Sequence, residues 1–176
     1  MIENAPVYLH VTFLAATVFV AFMFLKGCKW NKITMALFAI WLPLQAYLGY
    51  NGFYLNTAST PSPMIFLIPP TLVLIVLLFA TASGRRFIDT LDLKTLTLLH
   101  TVRIPVELCL YWLFVVNAVP ELMTFEGTNF DIIAGITAPI LYYLFFVKKS
   151  ISRKVLLGWN IVMLLLLLNI VIIALL

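Results

Sequence analysis

The sequence predicts an all-α protein, a polytopic transmembrane bundle of six spans with both termini outside, and three observations carry that expectation. The composition is 64% hydrophobic and only 10% charged, against about 25% charged residues in soluble globular domains. The apolar residues gather into six runs, each near the roughly 20 residues needed to cross a hydrocarbon core of about 30 Å. The Lys and Arg residues fall between alternate runs, which sets the orientation.

The runs cover about 8–25, 33–50, 64–82, 96–119, 130–147 and 155–176. No linker long enough to part soluble domains interrupts them, so residues 1–176 read as a single transmembrane helical domain. The chain opens Met1-Ile2-Glu3 without the positive segment of a secretory signal, so span one is expected to stay in the mature protein. Leu25-Lys26-Gly27-Cys28 has the outline of a lipoprotein box, but Lys26 inside it and the basic loop around it argue against cleavage there.

Lys26, Lys29 and Lys32 join spans one and two; Arg85, Arg86 and Lys94 join three and four; Lys148, Lys149, Arg153 and Lys154 join five and six. Those loops are expected in the cytoplasm. The opposite segments hold Glu3, Glu121, Glu126 and Asp131 and no Lys or Arg. The same asymmetry accounts for the net charge of +4: the cations hold loops against an anionic leaflet. The expected partner is therefore the lipid bilayer, and no nucleic acid, because no soluble basic face with interleaved aromatics exists.

Between spans two and three, the loop from Asn51 to Pro63 is rich in turn formers, Gly52, Asn56, Pro61 and Pro63 among them. Phe87, Ile88 and Leu91 share one face of a short helix of the inner-surface kind, with Arg86, Asp89 and Lys94 elsewhere. Prolines stand in four spans: Pro43, Pro69 with Pro70, Pro105 and Pro139. Each removes a backbone donor and tends to bend its helix. Pro43-x-x-x-Tyr47-Leu48 is matched by Pro139-x-x-x-Tyr143-Leu144, a short echo of the inverted repeats of transporters.

Span four carries the candidate site. His100, Arg103 and Glu107 fall within about 60° of one another on a helix, and Glu121 continues the line. An ionised group at the bilayer centre costs roughly 2.5–3.5 kcal/mol on insertion scales, so such residues pair, face the interior or serve a pathway. Gln45, Thr71, Thr137, Asn160 and Asn169 are the polar groups of other spans able to answer the stripe.

Two readings of the stripe stay open. In the structural one, Arg103 snorkels to the inner headgroups or pairs with Glu107 four residues on, and His100 hydrogen-bonds near the inner interface. In the functional one, Glu107 lies near the midplane, where desolvation and a neighbouring guanidinium act on it in opposite directions and leave it poised to exchange a proton. Glu107, Arg103 and His100 are then a proton or solute site, and the Thr101 carbonyl freed by Pro105 faces the same cavity.

A second candidate site is the outer mouth, where His10, Glu121, Glu126 and Asp131 would gather; Asp131 alternatively opposes the dipole at the start of span five. His10 and His100 lie in opposite leaflets, too far apart to share a haem iron. Cys28 and Cys109 lie at different depths, which disfavours a disulfide, and two cysteines with two histidines have no zinc spacing. No metal, cofactor or catalytic residue is expected, and no hydrolase or metalloprotease signature occurs.

The stretches Arg103-Ile104-Pro105-Val106-Glu107, Val119-Pro120-Glu121-Leu122-Met123-Thr124-Phe125-Glu126-Gly127, Asn129-Phe130-Asp131 and Ala138-Pro139 resemble a family of uncharacterised bacterial multi-pass inner-membrane proteins. The resemblance covers spans four and five and implies a location in the bacterial cytoplasmic (inner) membrane; it implies no substrate, reaction or cofactor. It also implies a longer C-terminus. Span six runs apolar to Leu176 without a polar flank, which leaves open a seventh span that would return the chain to the cytoplasm.

Three classes of function follow. A carrier or sensor of a small solute or proton predicts a polar site around Glu107. A structural or assembly subunit predicts a dry, fully paired interior. A membrane-embedded enzyme predicts convergent groups at the outer mouth.

Overall fold

The computed structural model describes residues 6–55, 63 and 68–175. The chain is 83% helical and has no strand among those residues. The helices are α1 (Val7–Gly27), α2 (Lys32–Tyr50), α3 (Ile68–Ala80), α4 (Ala82–Thr90), α5 (Leu93–Leu99), α6 (Arg103–Val115), α7 (Asp131–Tyr142) and α8 (Arg153–Leu175). Four stretches are long and apolar enough to cross a membrane: α1, α2, α5 with α6 as one span over Leu93–Val115, and α8. A fifth is obtained if the bent pair of α3 and α4 counts as one span.

Most of their surface faces away from the protein, with no more than 11% of any span's residues buried. Leu72, Val76, Phe79, Leu157 and Leu165 are all more than half exposed. In water such continuous apolar surface drives aggregation, so its natural contact is with lipid chains.

The contacts divide the chain into two compact units, Leu25–Asp92 and a second made of Met1–Phe24 with Leu93–Leu176. In the first, Lys29 takes a left-handed conformation (φ 52°) after α1. Its N–H bonds to Lys26 O and that of Trp30 to Leu25 O, a paired arrangement that satisfies the last carbonyls of a helix. Asn31 then caps α2, its side chain accepting from Ile33 N at 3.0 Å and Thr34 N at 3.3 Å. Cys28, within this turn, is only 2% exposed. Gln45 accepts a hydrogen bond from the Tyr54 hydroxyl.

The expected third span, 64–82, departs from a single rod. Residues 64–67 lie outside the described ones, as does most of the loop before them. Pro69 and Pro70 fall in the first turn of α3, where no backbone donor is required, so they start the helix rather than kink it. The bend comes at Thr81, where α3 and α4 meet at 93°. Thr81 caps α4 by accepting from Gly84 N, and Arg85 Nη1 donates to the final α3 carbonyls at Phe79 and Ala80. Gly84 is required there, because a Cβ would sit 2.4 Å from Leu78 O.

In the second unit, Pro105 leaves its mark on span four one turn earlier. Without a proline N–H to hold the Thr101 carbonyl, residues His100–Val102 tighten into a 3-10 turn between α5 and α6, and Arg103 N–H donates to His100 O. Span four ends at Val115 rather than Val119. Asn117 adopts φ 56°, and Asn117 N–H and Ala118 N–H bond to Phe114 O and Leu113 O.

The expected fifth span is shorter than the rest, a 12-residue α7 continued by a π-helical turn over Tyr143–Val147. It packs closely through small residues: Asp131, Ala134, Gly135 and Ala138 recur at helical spacing on one buried face.

Candidate functional site

Four buried polar residues of the second unit, Glu107, Thr124, Asn129 and Asp131, gather where α6 meets the start of α7. Arg103 Nη1 donates to Asp131 Oδ1 at 2.6 Å and to the Met163 carbonyl of α8 at 3.2 Å. The pair is largely withdrawn from solvent, with side chains 13% and 7% exposed. Arg103 therefore neither snorkels nor takes Glu107 as its hydrogen-bonded partner.

Glu107 meets Asn129 instead. Asn129 Nδ2 donates to Glu107 Oε1 at 2.6 Å and to the Met123 carbonyl at 3.0 Å, while Asn129 Oδ1 accepts from Asp131 N–H at 3.2 Å. Asn129 is fully buried and Glu107 only 2% exposed. The orientation of the amide is determined by its surroundings: a backbone N–H only donates and a carbonyl only accepts, so a flipped amide would lose both bonds. Glu107 Oε2, on the other side of the carboxyl, is buried and has no hydrogen-bond partner.

The site lies deep in the span. A Cβ on Gly135 would stand 2.7 Å from Ile104 Cγ1 and 3.0 Å from Ile104 N, and Ile104 is the central residue of the 23-residue span Leu93–Val115. Asp131, one turn before Gly135, is therefore about 6 Å from that midpoint along the helix, toward the Val115 end. α8 gives the same register, since Met163 O meets Arg103 and Asn169, about 9 Å further along, donates to Thr128 O at 2.9 Å.

Residues 116–130 fold back on themselves before α7 begins, burying Thr124 and Asn129 while eight of the fifteen residues stay exposed. Irregular backbone is tolerated at such depth only when protein satisfies its polar groups. Thr124, which is fully buried, does much of this. Its N–H and hydroxyl both donate to Glu121 O, its carbonyl accepts from Gly127 N and Asn129 N, and its Oγ1 accepts from Glu126 N. Gly127 permits the closure, as a Cβ there would stand 2.4 Å from Glu121 O. Phe125 stacks on Tyr111 of α6 with ring centroids 5.2 Å apart.

The remaining predicted residues are distributed around this core. His100 packs edge-on to Trp159, with centroids 5.0 Å apart, and the Trp159 indole N–H donates to Thr137 Oγ1 at 3.0 Å. Asn160 bonds back to Leu156 O on its own helix. His10, Glu121 and Glu126 are exposed, and Asp131 is turned to Arg103. Among the described residues no three His, Cys, Asp or Glu side chains come together as a metal site.

No protein-family model, no curated protein and no solved structure matches the chain.

Asn129 and Thr124 were not among the candidates read from the sequence. The signal that points to them is compositional: Thr124, Glu126, Gly127, Thr128, Asn129 and Asp131 crowd between two apolar runs. Such crowding reads as an ordinary solvated loop until its burial is known.

Proposed function

We propose that this is a six-span protein of the bacterial inner membrane, with both termini outside, that moves or senses a small solute or proton through the polar site on span four. The alternation of basic and acidic loops along the chain supports the orientation, and the shorter apolar helix over Asp131–Val147 is read as the fifth crossing. The observation that carries the functional reading is the carboxyl of Glu107, 2% exposed with Oε2 lacking a partner. A group that served packing alone would be expected to have all its polar atoms satisfied.

The test is flux. Reconstituted into vesicles with a pH-sensitive dye inside, the wild-type chain should dissipate an imposed pH gradient, and Glu107→Gln should slow this at least tenfold. Equal rates for protein-free, wild-type and variant vesicles would reject transport of protons. The structural-subunit reading has its own support in the closed bonding of Arg103 to Asp131 and Met163 O. It predicts no flux and co-purification with a membrane partner. An outer-face enzyme has less behind it, because His10, Glu121 and Glu126 are exposed and do not converge with Asp131 in a group able to hold a metal.

A further inference from the structure

We infer that the occupant of this site is a single proton, carried on Oε2 of Glu107, and that Asn129 is the positioning residue that selects this oxygen. The inference deepens the reading above by naming the species and the atom. It begins from a charge count. Two carboxyls, Glu107 and Asp131, share one guanidinium, Arg103, which stays charged at any physiological pH. With both carboxyls ionised the buried cluster would hold one uncompensated negative charge, a costly state in a dry interior. One positive charge is needed, no more.

The hydrogen bonds say where it goes. Asp131 Oδ1 is paired with Arg103 at 2.6 Å, and Asn129 Oδ1 accepts from the Asp131 backbone N–H, so Asp131 is the carboxylate that the guanidinium takes. Glu107 Oε1 accepts from Asn129 Nδ2, whose orientation is locked by Met123 O and Asp131 N. Once the acid is neutral, the oxygen that accepts this bond is its carbonyl oxygen. Oε2 is the remaining position for the hydrogen.

A metal cation fits less well. Sodium and potassium need several oxygens around them, and here Oε1 and Asp131 Oδ1 are already committed to Asn129 and Arg103, while among the described residues no three His, Cys, Asp or Glu side chains gather. The other ionisable groups on the surrounding elements do not supply the charge. His100, three residues before Arg103, packs on Trp159, and its protonation would set a second cation beside the guanidinium. Glu121 and Glu126 on the folded-back segment are exposed, Cys109 on α6 has no positive charge to offer, and the cations of α8, Arg153 and Lys154, are exposed at least nine residues before Met163, about 14 Å along the helix.

The experiment is infrared difference spectroscopy of the full chain in lipid nanodiscs, stepped in pH, with and without carbon-13-labelled glutamate. The expected result is one protonated-carboxyl band that moves to lower frequency with the glutamate label and is lost in Glu107→Gln. In Asn129→Ala the band should move to higher frequency, because the carbonyl at Oε1 loses its donor. A residue that only stabilised the fold would not retune this vibration. If Asn129→Ala does not fold, the isotope shift in the wild type still decides the proton's location.

A band unmoved by labelled glutamate would put the proton on Asp131 and overturn the inference. So would its loss on adding sodium or potassium, or its absence at every pH. A Glu107 band without vesicle flux would overturn the transport reading alone, and flux without a Glu107 band would overturn the inference alone.

Discussion

Arg103 and Asp131, 28 residues apart in sequence, are joined at 2.6 Å inside the membrane-spanning region, while Glu107, one helical turn from Arg103, bonds to Asn129. The nearer carboxylate in sequence is not the hydrogen-bonded partner. α7 enters the bundle beside Ile104, which brings its first residue within reach of the guanidinium. Asn129, two residues earlier, then arrives against Glu107.

From this pair follows the first prediction. Asp131→Ala leaves a buried guanidinium without its counter-charge, a loss of about 3–5 kcal/mol for pairs of this kind. Arg103→Met combined with Asp131→Leu should recover most of that loss, since neither charge then remains to be desolvated. Reversible unfolding in detergent, run as a double-mutant cycle, measures both. A double variant destabilised by the sum of what Arg103→Met and Asp131→Leu each cost alone would show that the pair is not coupled.

Gly135 offers a test of packing that is independent of charge. Its Cβ would meet Ile104 Cγ1 at 2.7 Å and the Ile104 backbone at 3.0 Å. The Ile104 side chain can turn aside but the backbone cannot. Gly135→Ala should therefore cost about 1–3 kcal/mol and Gly135→Val clearly more, whereas Gly158→Ala, with open space around it, should change stability little. A Gly135→Ala variant as stable as Gly158→Ala would contradict the close approach of α6 and α7.

Cys28 tests the turn between α1 and α2. Burial pushes its thiol up from the ordinary range, and the hydrogen bond with Thr34 acts against this with smaller effect. Only the thiolate reacts with maleimides. At pH 7 its labelling should be slower than that of a free cysteine, rise about tenfold per pH unit while the thiol remains mostly protonated, and accelerate when the protein is denatured. Rapid labelling of the native protein at pH 7 would mean that the turn is open.

The sequence by itself determined the membrane, most of the helices and the chemistry of span four. Apolar runs of bilayer length identify segments whose backbone must be satisfied internally, and that requirement leaves little but helix. The helices α1, α2, Leu93–Val115 and α8 accordingly fall within a few residues of the predicted runs. The amphipathic pattern around Phe87 and Ile88 is a local feature and is read locally. Charges at His100, Arg103 and Glu107 stand out against such a background wherever they point.

Only the tertiary structure decided what those charges meet. Helical spacing offered Glu107 to Arg103, because periodicity sees neighbours one turn apart and is blind to a segment that returns from 22 to 28 residues further on. The burial of Thr124 and Asn129 depends on closure of the segment around them, on the absence of a side chain at Gly127 and on the small-residue face of α7, and these come together only in the packed chain. In the same way Pro70 and the 93° turn at Thr81 show why an apolar run gives the length of a span but not its straightness. Hydrophobicity acts over whole segments. Which carboxylate finds which cation is set by contacts of a few ångströms, and those exist only after the helices have packed.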